Sequence, residues 1–271
     1  MLKQRVITAV LMMTVFMSLL LLAPWQWFCV AISAVFIIGA WEWSNLSGIK
    51  ALAARLVYVV GLSLIAVALL IVLDAGQNHA LMQSLMLLAC LWWAVALLWV
   101  QSYPSSAILW RPLPVRAVLG ALVLIPAWMA VLWLRQQDNG VALIFFALLL
   151  VAAADIGAYF AGRALGKRKL APNVSPGKTW AGVWGGLLLS VLLGGAYGVF
   201  LLGFSAVQML VLIVPVAATS VLGDLLESMM KRERGIKDSS SILPGHGGIL
   251  DRLDGIVAAL PVLVLMLLNT N

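Results

Sequence analysis

Runs of about twenty apolar residues recur almost end to end through this 271-residue chain. A span of the hydrocarbon layer needs ~20 mostly apolar residues in a helix. Nine stretches come close to that length: 6–23, 25–43, 55–73, 81–100, 117–134, 141–161, 181–202, 206–227 and 255–270. The second and the ninth are short, with room to tilt or pack differently. The composition excludes a water-soluble fold, since 64% of residues are hydrophobic and only 10% charged, against roughly 25% charged in soluble domains. The expected fold is an all-α integral membrane protein, a polytopic helical bundle of about nine transmembrane helices.

The basic residues orient that bundle. Lys3 and Arg5 precede the first span; Lys50 and Arg55 lie between the second and third; Arg111 and Arg116 between the fourth and fifth. Arg163, Lys167, Arg168, Lys169 and Lys178 lie between the sixth and seventh, and Lys231, Arg232, Arg234, Lys237 and Arg252 between the eighth and ninth. These loops share one side, and the opposite loops hold only Arg135. The expectation is a cytoplasmic N-terminus with the C-terminus on the far side. The net charge of +7 then reflects loops facing anionic lipid, and no nucleic-acid partner is expected. The run after Lys3 and Arg5 exceeds the roughly 7–15 residues of a signal-peptide core and lacks a convincing cleavage site, so a retained first helix is expected.

Cys29 and Cys90 both lie within apolar runs and read as small core residues, not as a disulfide framework or a zinc site. No internal repeat or low-complexity linker divides the chain, so residues 1–271 are treated as one transmembrane domain. Residues 1–140 read mainly as scaffold, with most of their tryptophans near span ends, as in an aromatic belt. Residues 141–271 carry the chemistry.

Four polar segments stand out there. Asp155 lies in the apolar sixth span, in the segment Asp155–Arg163; such an acid faces a bundle interior or polar cavity, or pairs with Arg163 or a backbone group. Ser175-Pro176-Gly177-Lys178-Thr179 precedes the seventh span. It lacks the first glycine and the βαβ setting of a P-loop. Its Ser, Lys and Thr can still cradle phosphate at a helix start, or simply cap the helix. Asp224 and Glu227, three apart, share a helix face. Mg²⁺ uses one or two protein carboxylates and completes its shell with phosphate and water. The densest segment is Ser228–Asp254, with Lys231, Arg232, Arg234 and Lys237 for phosphate and Asp238, Asp251 and Asp254 for a divalent metal. Its turn, Pro244-Gly245-His246-Gly247-Gly248, lets backbone N–H groups approach an anion. Asp251 and Asp254 share a face if a helix starts there; Asp254 equally suits a complement to the helix dipole. His246 suits phosphate contact or pinning of the turn.

Ser228 to Asp254 resembles the signature of the phosphatidate cytidylyltransferase, or CDP-diacylglycerol synthase, family. Ser228, Lys231-Arg232, Lys237-Asp238, Pro244, His246-Gly247-Gly248, Asp251-Arg252 and Asp254 occupy its fixed positions. The segments at Ser175–Thr179, Asp155–Arg163 and Gly223–Ser228 resemble the family in the same order. The likeness is strong over residues 150–255; earlier, only a cluster at Trp41-Glu42-Trp43 resembles a family glutamate. The resemblance implies a bacterial-type integral enzyme of the inner (plasma) membrane. It joins CTP to phosphatidic acid, giving CDP-diacylglycerol and pyrophosphate, with its site facing the cytoplasm. It implies Asp224, Asp251, Lys178 and Lys237 as catalytic. Ser175, Thr179, Lys231, Arg232, Ser240, His246 and Arg252 are implied as substrate-binding. Mg²⁺ would sit on Asp224 and Asp251, with Glu227 and Asp254 as further ligands, as two divalent ions or as one divalent and one monovalent ion. Membrane lipids are the surroundings, and a homodimer is an open assembly state.

Three rivals are weighed against this. A CTP-dependent polyprenol or phytol kinase would need to deprotonate an alcohol. A CDP-alcohol phosphotransferase needs an Ala-Arg pair after Asp251-Arg252-Leu253-Asp254-Gly255, where Ile256, Val257, Ala258 and Ala259 stand. A secondary transporter would show paired broken helices or inverted repeats.

Overall fold

The computed structural model describes residues 2–73 and 78–269. The side chains of residues 1–6 and Ala9 fall outside the description, Lys3 and Arg5 among them, as does residue 270 at the end of the ninth expected span. The described elements are α1 (Leu2–Leu22), α2 (Trp25–Ser47), α3 (Leu52–Val72), α4 (His79–Gln101), α5 (Ala107–Trp110) and α6 (Leu113–Gln136). They continue with α7 (Gly140–Leu165), β1 (Lys169–Ala171), β2 (Ser175–Thr179), α8 (Trp180–Leu201), α9 (Ala206–Arg234) and α10 (Leu250–Leu268).

A helix lies over each of the nine apolar stretches. Seven of them, α2, α3, α4, α6, α7, α8 and α9, are long and apolar enough to cross a membrane. The chain is thus a helical, polytopic integral membrane protein. Of the other two, α10 carries Asp251, Arg252 and Asp254 in its first turns, and α1 is apolar over the described run Val10–Leu22.

Burial sorts the helices. In α6 the run from Val123 to Ala130 is buried throughout, and in α10 so is the run from Gly255 to Val264; these two form the centre. By contrast α3 buries only Val59, Leu62 and Ala66 and leaves Leu56, Val57, Leu64 and Ile71 exposed. An outer apolar face of that kind suits lipid, because hydrocarbon charges nothing for exposed Leu and Val. Small residues set the closest helix pair, α7 with α8. A side chain at Gly157 would run into the backbone of Gly185 and Gly186, and one at Gly182 would meet Ala158.

The basic loops gather at one end of the bundle. Arg55 bonds Ser44 and the Trp41 carbonyl, Trp43 donates to the Arg116 carbonyl, and Arg111 pairs with Glu233. Asn173 donates to the Tyr103 carbonyl, Arg232 to that of Val174, and Arg234 to that of Asn45. Arg135 belongs elsewhere, donating to the Ala23 carbonyl in the first loop of the opposite set.

Two features depart from the sequence expectation. Residues 169–179, expected as a loop leading into a helix, form a two-stranded antiparallel hairpin with Lys169 opposite Thr179. Short strands joined by a Pro172-Asn173 turn leave no hydrophobic period to detect. And α9 does not stop at residue 227 but continues to Arg234, where Gly235 caps it at positive φ. The extra seven residues carry the helix ~10 Å further. That puts Asp224, Glu227, Ser228 and Lys231, spaced three or four apart, along one side.

Candidate active site

The charged end holds two lysine–carboxylate centres, side by side on α9. The first joins three elements. Thr179 ends β2 and caps α8, its hydroxyl accepting from the Gly182 amide at 3.1 Å, a bond worth about 1 kcal/mol to the helix. This fixes its neighbour Lys178, whose Nζ lies 2.6 Å from Asp224 Oδ2. Ser228 Oγ donates to Asp224 Oδ1 at 3.1 Å. Beside the pair is a cavity of about 230 Å³ lined by Asp155, Tyr159, Lys178, Thr179, Val221 and Asp224, among others. Asp155 therefore does not pair with Arg163, which donates instead to the Tyr159 hydroxyl. It lies within electrostatic reach of Lys178 and Asp224.

The second centre is built by α9, α10 and the loop between them. Lys231 Nζ lies 2.6 Å from Asp251 Oδ1 and 3.3 Å from Glu227 Oε1. Asp251 Oδ2 accepts from the Ser239 amide at 2.9 Å, the Ser239 hydroxyl at 2.9 Å and the Gly248 amide at 2.8 Å. The helices meet closely enough that a side chain on Gly223 would collide with the Asp254 carbonyl. This brings Asp254 within electrostatic reach of Asp224. Asp254 Oδ1 accepts from the Gly255 amide, so part of its carboxylate is turned to its own helix.

The His-Gly-Gly turn is explained by these bonds. Gly247 has φ +84°, and a side chain there would meet Asp251 Oδ2; at Gly248 it would strike Ser239 Oγ and Glu42. Arg252 closes the turn from outside, donating to the His246 carbonyl through Nε at 3.1 Å and Nη2 at 2.7 Å. Of the two roles open to His246, its carbonyl performs the pinning. Its Nδ1 is buried without a hydrogen-bond partner.

The sequence-selected residues thus fall into groups. Lys178 and Asp224 meet; Lys231, Glu227 and Asp251 meet; Asp254 lies by both helices. Asp224 and Asp251 form no direct contact, each being held by its own lysine. Thr179 is buried and committed to its cap. Ser175 is half-buried on β2. Arg232 is exposed, with its Nε on the Val174 carbonyl. Lys237 is exposed and, among the described residues, makes no ion pair. Ser240 donates to Glu42 Oε1 at 2.6 Å. Sequence reasoning missed the roles of Glu42, Asn45 and Ser239. The Asn45 side chain donates to the Ser239 carbonyl. The available signal was an acid embedded in the apolar second span between Trp41 and Trp43.

The donor set suits a hard cation in one specific way. No three of these acids among the described residues converge as a ready cage. Mg²⁺ asks for less, one or two carboxylates plus phosphate oxygens and water. Of the two lysine-paired acids, Asp224 is the more accessible, with 34% of its side chain open, against 7% for Asp251; Asp155 and Asp238 are exposed.

Fold and site define a class: helical integral membrane proteins with lysine-paired carboxylates clustered at one charged end of the bundle. The particular family follows from comparison. Residues 3–269 match the model of the cytidylyltransferase family, and the chain belongs to that family. It is 42% identical over 287 aligned positions to the phosphatidate cytidylyltransferase of Pseudomonas aeruginosa, covering 98% of this chain and 97% of the relative. It is 44% identical over 280 positions to that of Haemophilus influenzae, covering 96% of each. The Bacillus subtilis enzyme of the same name is 41% identical over 136 positions, about half of each chain.

Proposed function

We propose that this chain is a phosphatidate cytidylyltransferase, transferring CMP from CTP to phosphatidic acid to give CDP-diacylglycerol and pyrophosphate. Family membership and the near-full-length likeness to two enzymes of that name support it. The observation that carries it onto this chain's own residues is the pair of adjacent lysine–carboxylate centres, one of them beside a cavity, at the charged end of a lipid-embedded bundle. In the reaction a phosphate oxygen of phosphatidic acid bonds to the α-phosphorus of CTP, and the bond from that phosphorus to the β-phosphate bridging oxygen breaks. Pyrophosphate carries away the electron pair. The nucleophile is already ionised at neutral pH, so no general base is needed. The barrier is the crowding of anions, and fixed cations relieve it.

Lys178 and Lys231 are the cations built into the two centres, and exposed Lys237 and Arg232 extend the positive surface above them. Ser175, Ser240, His246 and Arg252 complete the loop and hairpin walls around the nucleotide phosphates. Bound Mg²⁺, as two divalent ions or one with a monovalent partner, would supply Lewis-acid neutralisation of phosphate charge. Asp224 and Asp251 would hold it, with Glu227 and Asp254 beside them. Nine crossings with a cytoplasmic N-terminus put this end of the bundle in the cytoplasm, where CTP is, within the inner membrane of a bacterium. The gathering of the Lys- and Arg-bearing loops at one end supports that orientation.

The test separates nucleotidyl transfer from a lipid kinase, in which an alcohol attacks the γ-phosphorus. Purified protein is supplied with CTP labelled at the α-phosphate, phosphatidic acid and Mg²⁺. The label moves into chloroform-soluble lipid. Transfer of γ-label to lipid, with α-label left in water as CDP, refutes the proposal.

A further inference from the structure

Glu42 lies near the end of α2, in the half of the chain read as scaffold, and it is 0% exposed. Among the described residues no Lys or Arg forms an ion pair with it. Its charge is answered by four hydrogen bonds from the signature segment. Oε1 accepts from the Ser240 hydroxyl at 2.6 Å and the Ile249 amide at 2.9 Å. Oε2 accepts from the Ser239 hydroxyl at 3.2 Å and the Leu250 amide at 2.7 Å. The two amides belong to the start of α10, where a helix presents unpaired N–H groups and the positive end of its dipole. Glu42 is thus the cap of α10, delivered from another helix. Ile249, the residue before that helix, provides no side-chain cap.

The arrangement requires a carboxylate. Each oxygen faces one hydroxyl, which can rotate, and one backbone N–H, which cannot. An amide in the same place would set its NH₂ against a backbone N–H in either orientation. The same cluster reaches the second centre directly. Ser239 Oγ lies between Glu42 Oε2 and Asp251 Oδ2, at 3.2 and 2.9 Å, and its single hydrogen is shared between two acids. Asp251 in turn fixes Lys231. The order of dependence runs from Glu42 to Ser239, to Asp251, to Lys231. Asn45, one turn further along α2, holds the Ser239 carbonyl from the other side.

We infer that Glu42 is a positioning residue for the transfer reaction: it clamps residues 239–250 and the start of α10, and so sets where Asp251 and Lys231 stand. This rests on the cytidylyl-transfer role proposed for that centre. The test uses the full-length protein in mixed micelles, with Glu42→Gln and Glu42→Asp beside wild type. Amide hydrogen exchange reports the loop, and labelled CTP reports turnover. In Glu42→Gln, exchange across 239–252 accelerates at least ~10-fold while the α6 core keeps its protection, and kcat falls at least ~10-fold. Glu42→Asp, which keeps the carboxylate on a shorter stem, recovers part of both. Unchanged exchange in the loop overturns the inference. So does protection lost evenly through the chain, which marks Glu42 as a general support of the fold. Loosened exchange with unchanged turnover overturns the positioning role by putting the clamped loop outside the chemistry. Failure of the wild type to transfer label at all instead sinks the parent proposal. Should Glu42→Gln not fold, Ser240→Ala removes one of the four donors and keeps the carboxylate. Its loop exchange then rises about threefold, and no rise at all overturns the clamp.

Discussion

Lys178→Met separates a substrate-contacting lysine from a helix-end support. The Nζ sits 2.6 Å from Asp224 Oδ2, but 23% and 34% of the two side chains remain open to solvent. A pair that exposed contributes about 1 kcal/mol or less, after screening and the entropy of holding two side chains. Methionine keeps most of the stem's apolar contact, so the loss of stability stays within that figure, a shift of a few degrees in melting temperature for a chain of this size. The expected kinetic loss is larger. A cation removed from a phosphate undergoing transfer should cost at least ~10²-fold in turnover, about 2.7 kcal/mol at the transition state. The two magnitudes differ enough to decide the role. The assay pairs α-labelled CTP transfer in mixed micelles with the melting curve of the same preparation. Combining Lys178→Met with Asp224→Asn sharpens it. If the pair only braces β2 against α9, neutralising both ends removes the unpaired charge and restores activity. If each contacts substrate or metal, the double variant stays inactive. Parallel loss of activity and stability in the single variant, or recovery in the double, refutes the substrate role.

Two further expectations follow from the geometry. Asp251→Asn can keep an oxygen toward the Ser239 and Gly248 amides, but it then points an NH₂ at Lys231; turnover should fall at least ~10²-fold, and activity near that of wild type would remove Asp251 from the site. Reporter fusions at Lys237 and after Asn271 should report opposite sides of the membrane, and the same side for both would overturn the nine-crossing arrangement.

The bundle was legible because apolar length is a property of single helices. Each of the nine stretches can be counted without knowing its neighbours, and a helix lies over each. The polar end of α9 was not, because the apolar run that was counted stops near residue 227, although Met229-Met230-Lys231-Arg232-Glu233-Arg234 are all good helix formers. The Gly235 cap and contacts such as Arg111 with Glu233 extend it. The hairpin at 169–179 escaped for a related reason: its strands are too short for alternation to register. In the site, the right residue types were identified but not their partners. Helical spacing places Asp224 with Glu227, and Asp251 with Asp254, on common faces. It says nothing of which lysine reaches which acid, and the pairs found, Lys178 with Asp224 and Lys231 with Asp251, join residues far apart in the chain.

The same limit explains why residues 1–140 looked like scaffold. The acid between tryptophans resembles a family glutamate, but its role is not written in its neighbours, since its meaning lies in what it accepts from. In the fold those donors are Ser239, Ser240, Ile249 and Leu250, all from the segment richest in chemistry. A glycine-rich loop of this length has no hydrophobic core to hold it, and ordering it costs about 1–2 kcal/mol of backbone entropy per residue. Something outside the loop must fix it. Asp251 alone does not suffice, because it sits on α10, whose own start needs capping. An acid on a separate helix, fully buried and saturated with donors from both the loop and α10, meets that requirement. The division into a supporting half and a reacting half therefore fails at the end of α2, at Glu42 and Asn45, and a chain lacking Glu42 would keep its spans while losing the order of its signature loop.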